Sequence, residues 1–400
     1  MAGTIARPAR ADASTTQSGT FDTAAITTMS LAHFVHDTYP AFLGALLPLL
    51  IAKFGLTLGA AGVLVSVLRW SALIQPFLGM LADRSDPRYW VILAPTVTAL
   101  GMGLLGLAPN YLALMLLLGL TGLSHAAFHP AGGAQVTRLS GRYWGRGTAF
   151  WMTGGELGRA VGPLFVVACV ETFGLEGTWV AVGPAILASL LLYWRIGRGP
   201  RLQLKSAPAG LWTAMKQVRR GLAVLGIIIV LRNLGSASFT FFFPTYVTDL
   251  GRSLTFAALA ISVFELAGAA GALIGGTLSD HLGRRKILVV STAVAGPTLF
   301  GVFLLPEGPW QLALLVPAGL AAFAASPVQM ALIQELLPDN RSAAMGIMMF
   351  LGLEGTIVAT VAVGFIADAV GLGPTLATSM LLSLLPLPFI LLLPETGPRR

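Results

Sequence analysis

Apolar residues run along this chain in long unbroken blocks, and short polar or Gly- and Pro-bearing stretches separate them. A bilayer-crossing helix needs about 20 mainly apolar residues, whereas a barrel strand needs about ten of alternating polarity. The blocks therefore predict helices, twelve in all. In the first half they run over Ala25–Phe54, Leu58–Ala82, Tyr89–Leu107, Tyr111–Gln135, Gly147–Phe173 and Thr178–Trp194. In the second they run over Leu222–Asp249, Thr255–Ser279, Ile287–Leu305, Trp310–Leu336, Ala343–Ala367 and Pro374–Leu393.

Composition agrees with that pattern. Hydrophobic residues make up 55% of the chain and charged ones 10%, against roughly 25% charged in soluble domains. Four hundred residues of this kind cannot cover a water-facing surface, and disorder is excluded because disordered chains are polar. The single Cys169 excludes a disulfide scaffold. The first two dozen residues lack an apolar core, so the first helix is expected to serve as the insertion signal rather than a cleaved leader.

The formal charge of +8 reflects loop placement, not a nucleic-acid surface. With the N-terminus in the cytoplasm, the tails and even-numbered loops hold 20 of the 25 Lys and Arg residues, and the opposite loops hold only Lys53 and Arg252. The bias of basic residues toward the cytoplasm then puts both termini inside, in a bacterial cytoplasmic (inner) membrane. Seven basic residues and no acid between Arg195 and Arg220 mark a central loop able to contact anionic lipid. The expected organisation is a tail over 1–24, a six-helix bundle over 25–195, a basic linker over 196–220, a second bundle over 221–393 and a tail over 394–400.

The halves repeat. Pro48 and Gly55 fall on Pro244 and Gly251 at a shift of 196, Asp83 on Asp280 and Pro130 on Pro327 at 197, and Glu156 on Glu354 at 198. Duplicated halves around a midplane site are a transporter architecture. After the second block the chain runs Gly79-Met80-Leu81-Ala82-Asp83-Arg84, and after the eighth Gly276-Thr277-Leu278-Ser279-Asp280-His281-Leu282-Gly283-Arg284-Arg285-Lys286. Gly79 and Gly276 permit close helix approach. Asp83 and Asp280 can accept hydrogen bonds or meet a helix N-terminus, while Arg84, Arg284 and Arg285 hold the loop at the cytoplasmic face. Such a joint can latch two bundles; the plainer reading is a pair of loop caps.

These residues resemble the signature loop of the major facilitator superfamily, G-x-L-a-D-[RK]-x-G-[RK]-[RK]. The second copy matches well, and the first carries Asp86 where Gly is usual. The resemblance covers about residues 25–395 and implies an all-α membrane protein of twelve transmembrane helices in two pseudo-symmetric six-helix bundles. A narrower resemblance, to fosmidomycin-resistance-type exporters, rests on Ser30-Leu31-Ala32-His33-Phe34-Val35-His36-Asp37, on Phe128-His129-Pro130, and on Gly154, Gly155, Gly158 and Gly162-Pro163-Leu164. The last run is similar to an antiporter motif whose final glycines are here Val166 and Val167. The resembled fold places the first and fourth helices around the central cavity.

Seven Asp, Glu or Arg residues lie well inside the expected spans, away from their ends: Asp37, Arg69, Glu156, Arg159, Arg232, Glu265 and Glu354. Each unpaired charge at mid-bilayer costs about 2.5–3.5 kcal/mol on insertion scales. They must pair, take up protons or face water, and four acids against three arginines leave a carboxylate to carry a proton. His33 and Asp37 share a helix face, as do His125 and His129, and imidazole titrates near neutrality. Asp37, His33, His129 and Glu156 are therefore expected to couple protons. His36, Arg69, His125, Arg159, Arg232, Asn233, Glu265, Gln329 and Glu354 are expected to meet substrate. Simple Glu156–Arg159 neutralisation and backbone-bonded histidines are the blander readings.

None of the four lysines follows Gly, so there is no P-loop, and His125-Ala126-Ala127-Phe128-His129 lacks the Glu of a metalloprotease helix. The chain is not expected to be an enzyme, nor to hold a resident cofactor or metal. The expected activity is proton-coupled antiport by alternating access, exporting small polar or amphiphilic compounds, drugs included. Its partners would be that substrate, protons and the lipid bilayer, with no nucleic acid, and the chain would act as a monomer. Two alternatives stay open: import of an organic anion held by Arg69 or Arg232, and export of a divalent metal or metal chelate through the His/Asp cluster.

Overall fold

The computed structural model describes residues 21–74, 88–197, 211–337, 341–393 and 395. The described residues are helical almost throughout and include no strand. The helices of the first half are α1 (Thr23–Thr38), α2 (Phe42–Phe54), α3 (Leu58–Arg69), α4 (Arg88–Gly103), α5 (Tyr111–Ser140), α6 (Trp144–Phe173) and α7 (Val182–Ile196). Those of the second are α8 (Leu211–Asp249), α9 (Leu254–Leu282), α10 (Arg284–Val302), α11 (Pro309–Leu336), α12 (Arg341–Val370), α13 (Leu372–Leu382) and α14 (Pro386–Ile390).

Ten helical stretches among these residues are long and apolar enough to cross a membrane, and α3 is a shorter apolar helix. Helix α6 falls short of the same standard because Glu156, Arg159 and several glycines interrupt its apolar run. Two expected spans are broken. The first is split at Tyr39–Ala41, because Pro40 has no N–H to offer the His36 carbonyl. The last is split between α13 and α14, where Pro386 and Pro388 follow in close succession. The second span passes from α3 into a 3-10 turn over Trp70–Ile74. Of the segment expected as linker, 198–210 lie outside the described residues, and 211–220 form the first turns of α8.

Within the first half α1 packs on α6 and α4 on α5; within the second, α9 and α10 pack on α11. Between the halves the main contacts are α3 with α12, α6 with α9, and α2 with α8. Glycine makes this approach possible. A Cβ on Gly62 would fall 2.5 Å from the Thr360 carbonyl oxygen of α12, and one on Gly44 would fall 2.6 Å from that of Thr240 in α8. The aromatic run of α8 is core: Phe239, Phe242 and Phe243 are fully buried, with Phe239 stacked on Phe243. Outward faces carry exposed Leu187, Trp194, Leu273, Leu304 and Trp310, the composition of a lipid-facing surface.

Candidate functional site

Helix α1 ends at Thr38, one residue past Asp37, so the break at Pro40 leaves that carboxylate at a helix terminus in the protein interior. Asp37 is 3% exposed, and three imidazoles surround it. His33 Nε2 lies 3.3 Å from Asp37 Oδ2, His36 Nδ1 2.9 Å from Oδ1, and His129 Nε2 3.6 Å from Oδ1. His33 also stacks on Trp151 at a 4.2 Å centroid distance, and its Nδ1 donates to the Trp151 carbonyl at 2.8 Å. His36 stacks on Phe128 at 4.1 Å, and its Nε2 meets the Thr98 hydroxyl at 3.1 Å.

The glycines of α6 let this cluster form. A Cβ on Gly155 would fall 2.6 Å from His33 ring atoms and 3.0 Å from Asp37 Oδ2. A Cβ on Gly158 would fall 2.3 Å from the Phe34 carbonyl oxygen. Close contact between α1 and α6 thus depends on hydrogen in place of a methyl group, and it delivers Glu156 and Arg159 to the Asp37 site.

Arg159 is the centre of the charges. It bonds Glu156, one helical turn away, stands with NH1 3.7 Å from Asp37 Oδ2, and reaches with Nε to 3.6 Å from Glu265 Oε2 in α9. Three carboxylates thus converge on one guanidinium, two from the first half and one from the second. Thr240 of α8 donates to Glu265 Oε1 at 3.4 Å. His125 lies against His129 with centroids 4.1 Å apart, and its buried Nδ1 has no hydrogen-bond partner. Of the expected site residues, His33, His36, Asp37, His125, His129, Glu156, Arg159 and Glu265 form one cluster. Arg69 lies beside it, with its guanidinium 5.8 Å over the Phe241 ring and Nε without a hydrogen-bond partner.

The other expected residues lie in the second half. Arg232 donates to Thr292 Oγ1 and, at 2.9 Å, to the Ala322 carbonyl; Asn233 donates to the Gly352 carbonyl at 3.1 Å. Both line a cavity of about 100 Å³ with Gln329, Ser236 and Ser326. Glu354 has a buried Oε1 with no hydrogen-bond partner.

Of the loop residues, Gly79, Asp83 and Arg84 lie outside the described residues. In the second copy, Arg284 pairs with Asp280 at 2.6 Å and Glu335 at 3.2 Å, its backbone N–H donates to Glu395, and Arg285 donates to the Leu393 carbonyl. A Cβ on Gly276 would rest 3.4 Å from Pro327.

Sequence reasoning missed a symmetric pair of contacts at the end of the molecule that carries Lys53 and Arg252. Asp368 of α12 accepts from the N–H groups of Leu58 and Gly59, at 2.7 and 2.9 Å, and so caps α3 across the halves. Glu171 of α6 accepts from Thr255 Oγ1 at the start of α9. Glu171 and Asp368 are 197 residues apart, as are Leu58 and Thr255. The repeat shift that aligns Asp83 with Asp280 would have found them.

Two interlocked bundles, a duplicated loop and a charged cluster at their junction describe one family, and residues 29–359 match the model of the Major Facilitator Superfamily. The chain belongs to that superfamily. It is a multi-pass membrane transporter and not an enzyme. The Uncharacterized MFS-type transporter YfnC of Bacillus subtilis (strain 168) is 26% identical over 359 residues, 87% of each chain. The Fosmidomycin resistance protein of Escherichia coli (strain K12) is 27% identical over 352 residues, 85% of each. A crystal structure of a bacterial homolog of the human lysosomal transporter Spinster, inward-facing and unoccupied, superposes with a TM-score of 0.77 at 16% identity, covering 92% of this chain and 96% of the other. As in other members of the superfamily, the substrate is a small molecule met within the membrane.

Proposed function

We propose that this transporter is a proton-coupled antiporter that exports small polar or amphiphilic compounds across a bacterial inner membrane, as a monomer with both termini in the cytoplasm. The observation that carries the reading is the convergence of Asp37, Glu156 and Glu265 on Arg159, with Arg69 beside them. Two guanidinium groups cannot neutralise three carboxylates inside a membrane, so the cluster favours further positive charge. Protons on Asp37 and its imidazoles supply it. The name of the Escherichia coli relative supports the export direction.

The geometry gives the coupling a route. Arg159 holds Glu265 of the other half while it stands beside Asp37. A proton on the Asp37 group removes one claim on the guanidinium and rebalances its hold on Glu265. Proton gain and loss thereby change the contact between halves. Asp368 on α3 and Glu171 on α9 tie the halves together at one end, and with the termini in the cytoplasm, as the bias of basic loops supports, that end is the outer one. Substrate would then enter from the cytoplasm, toward the Arg232–Asn233–Gln329 cavity.

The test uses a strain lacking its own efflux systems, screened for survival on toxic compounds, fosmidomycin among them. Inside-out vesicles then report whether adding a protective compound discharges an imposed pH gradient. Discharge that disappears in Asp37→Asn supports the reading. Protection with no proton movement in the wild type would overturn proton coupling.

A further inference from the structure

The hydrogens on the cluster's imidazoles are fixed by their outer partners. A neutral ring carries a hydrogen on one nitrogen and a lone pair on the other. His33 Nδ1 faces the Trp151 carbonyl at 2.8 Å, and His129 Nδ1 faces the His125 carbonyl at 3.1 Å. Carbonyls only accept, so both rings carry hydrogen on Nδ1. The third ring is set through two hydroxyls. Ser124 donates to the Ala94 carbonyl at 3.1 Å and Thr98 donates to Ser124 at 2.9 Å. Thr98 Oγ1 is then an acceptor for the hydrogen on His36 Nε2 at 3.1 Å.

In neutral rings, therefore, His33 Nε2, His36 Nδ1 and His129 Nε2 all turn lone pairs toward Asp37, at 3.3, 2.9 and 3.6 Å, and His33 Nε2 and His129 Nε2 also turn lone pairs toward each other at 3.3 Å. Lone pairs aimed at a carboxylate repel it; a cation among them makes every contact attractive. An imidazole whose outer N–H is pinned on a carbonyl or hydroxyl is also how metal-ligating histidines are oriented.

We infer that His36, Asp37, His125 and His129 form a binding site for a divalent first-row transition-metal ion of the zinc, cobalt or nickel kind. Their donor atoms all lie within 4.8 Å of one another. Zinc–nitrogen bonds of about 2.0–2.1 Å give a tetrahedron with edges of about 3.3–3.4 Å. His129 Nε2 lies 3.6 Å from Asp37 Oδ1, close to such an edge. The Nδ1 of His125 is buried without a hydrogen-bond partner, so that donor is available to an ion. Three imidazoles and one carboxylate suit these metals and not magnesium or calcium.

Charge agrees. Asp37, Glu156 and Glu265 outnumber Arg159 and the adjoining Arg69 by one, so the cluster keeps a negative charge for a cation to meet. The sequence left passage of a divalent metal through the His/Asp cluster as an alternative; the ring orientations argue for a bound ion. The inference shares its side chains with the proposed coupling site and rests on that reading only in treating the cluster as one that seeks positive charge. It is tested by occupancy at equilibrium rather than by flux, so either can fail alone.

Tag-free protein in detergent is titrated with cobalt chloride, followed by visible absorption, and the ion is then displaced with zinc chloride. The wild type should show one saturable site per chain. His125→Ala and Asp37→Asn should each weaken it by roughly a hundredfold or more, and Thr98→Val, which cannot accept the His36 hydrogen, by about 10–100-fold. His281→Ala, on the loop, should bind as the wild type does. Gel filtration and helical circular dichroism identify the folded variants on which the comparison is made. Absence of saturable cobalt binding in the wild type, binding that survives His125→Ala, or unchanged affinity in Thr98→Val would each overturn the assignment.

Discussion

Arg159 Nε of α6 lies 3.6 Å from Glu265 Oε2 of α9, an ion pair that joins the two halves inside the membrane. Glu265 is buried and Arg159 half-buried, and Asp37 and Glu156 still hold Arg159 when Glu265 is neutralised, so the substitution removes the contact between halves while leaving the guanidinium paired. Glu265→Gln should loosen this junction. Spin-label distances across the outer ends should show a shift toward the outward-open arrangement, with the population ratio changed roughly tenfold, about 1.4 kcal/mol. An unchanged distance distribution would remove the pair from the conformational cycle.

The paired outer contacts make a second prediction. Asp368 caps α3, and Glu171 accepts from Thr255 on α9 at the symmetric place. Losing a carboxylate cap costs about 0.5–2 kcal/mol. Asp368→Ala should therefore open the outer face partway, and Asp368→Ala with Glu171→Ala further still. Labelling of Val363→Cys, a buried α12 position whose side chain is already larger than cysteine, in a Cys169→Ser background reads this out. Equal labelling in the parent and the double variant would contradict the latch.

The glycines of α6 separate fold from chemistry. At Gly158 a methyl group meets backbone, the Phe34 carbonyl oxygen at 2.3 Å, and nothing nearby can rotate away. Gly158→Ala should cost about 1–3 kcal/mol, visible as a lower melting temperature in detergent. At Gly155 the methyl group meets the His33 ring. Gly155→Ala should lower proton-driven transport more than melting temperature. A larger thermal loss at Gly155 than at Gly158 would reverse that assignment.

Much of this was legible in one dimension. Apolar blocks of helical length and rare intramembrane charges predict the spans, the repeat and the superfamily. The Glu156–Arg159 pair follows from a three-residue spacing. The partner of Glu265 does not, because it depends on how α6 crosses α9. Arg69 and Glu265 stand at equivalent repeat positions, 196 residues apart, yet they take different partners: Glu265 meets Arg159, and Arg69 lies over Phe241. The roles of Thr98 and Ser124 were equally hidden, since a hydroxyl in an apolar helix looks ordinary until its partners are known. Asp368 was within reach, had the 197-residue shift been followed to the ends of the spans.

The most direct test of the central claim reconstitutes wild type and Asp37→Asn in proteoliposomes with the compound returned by the resistance screen. Two readouts are compared: exchange of labelled for unlabelled compound, and accumulation driven by a pH gradient. The account predicts that Asp37→Asn keeps exchange and loses gradient-driven accumulation. Gradient-driven accumulation at the wild-type rate in Asp37→Asn would contradict it.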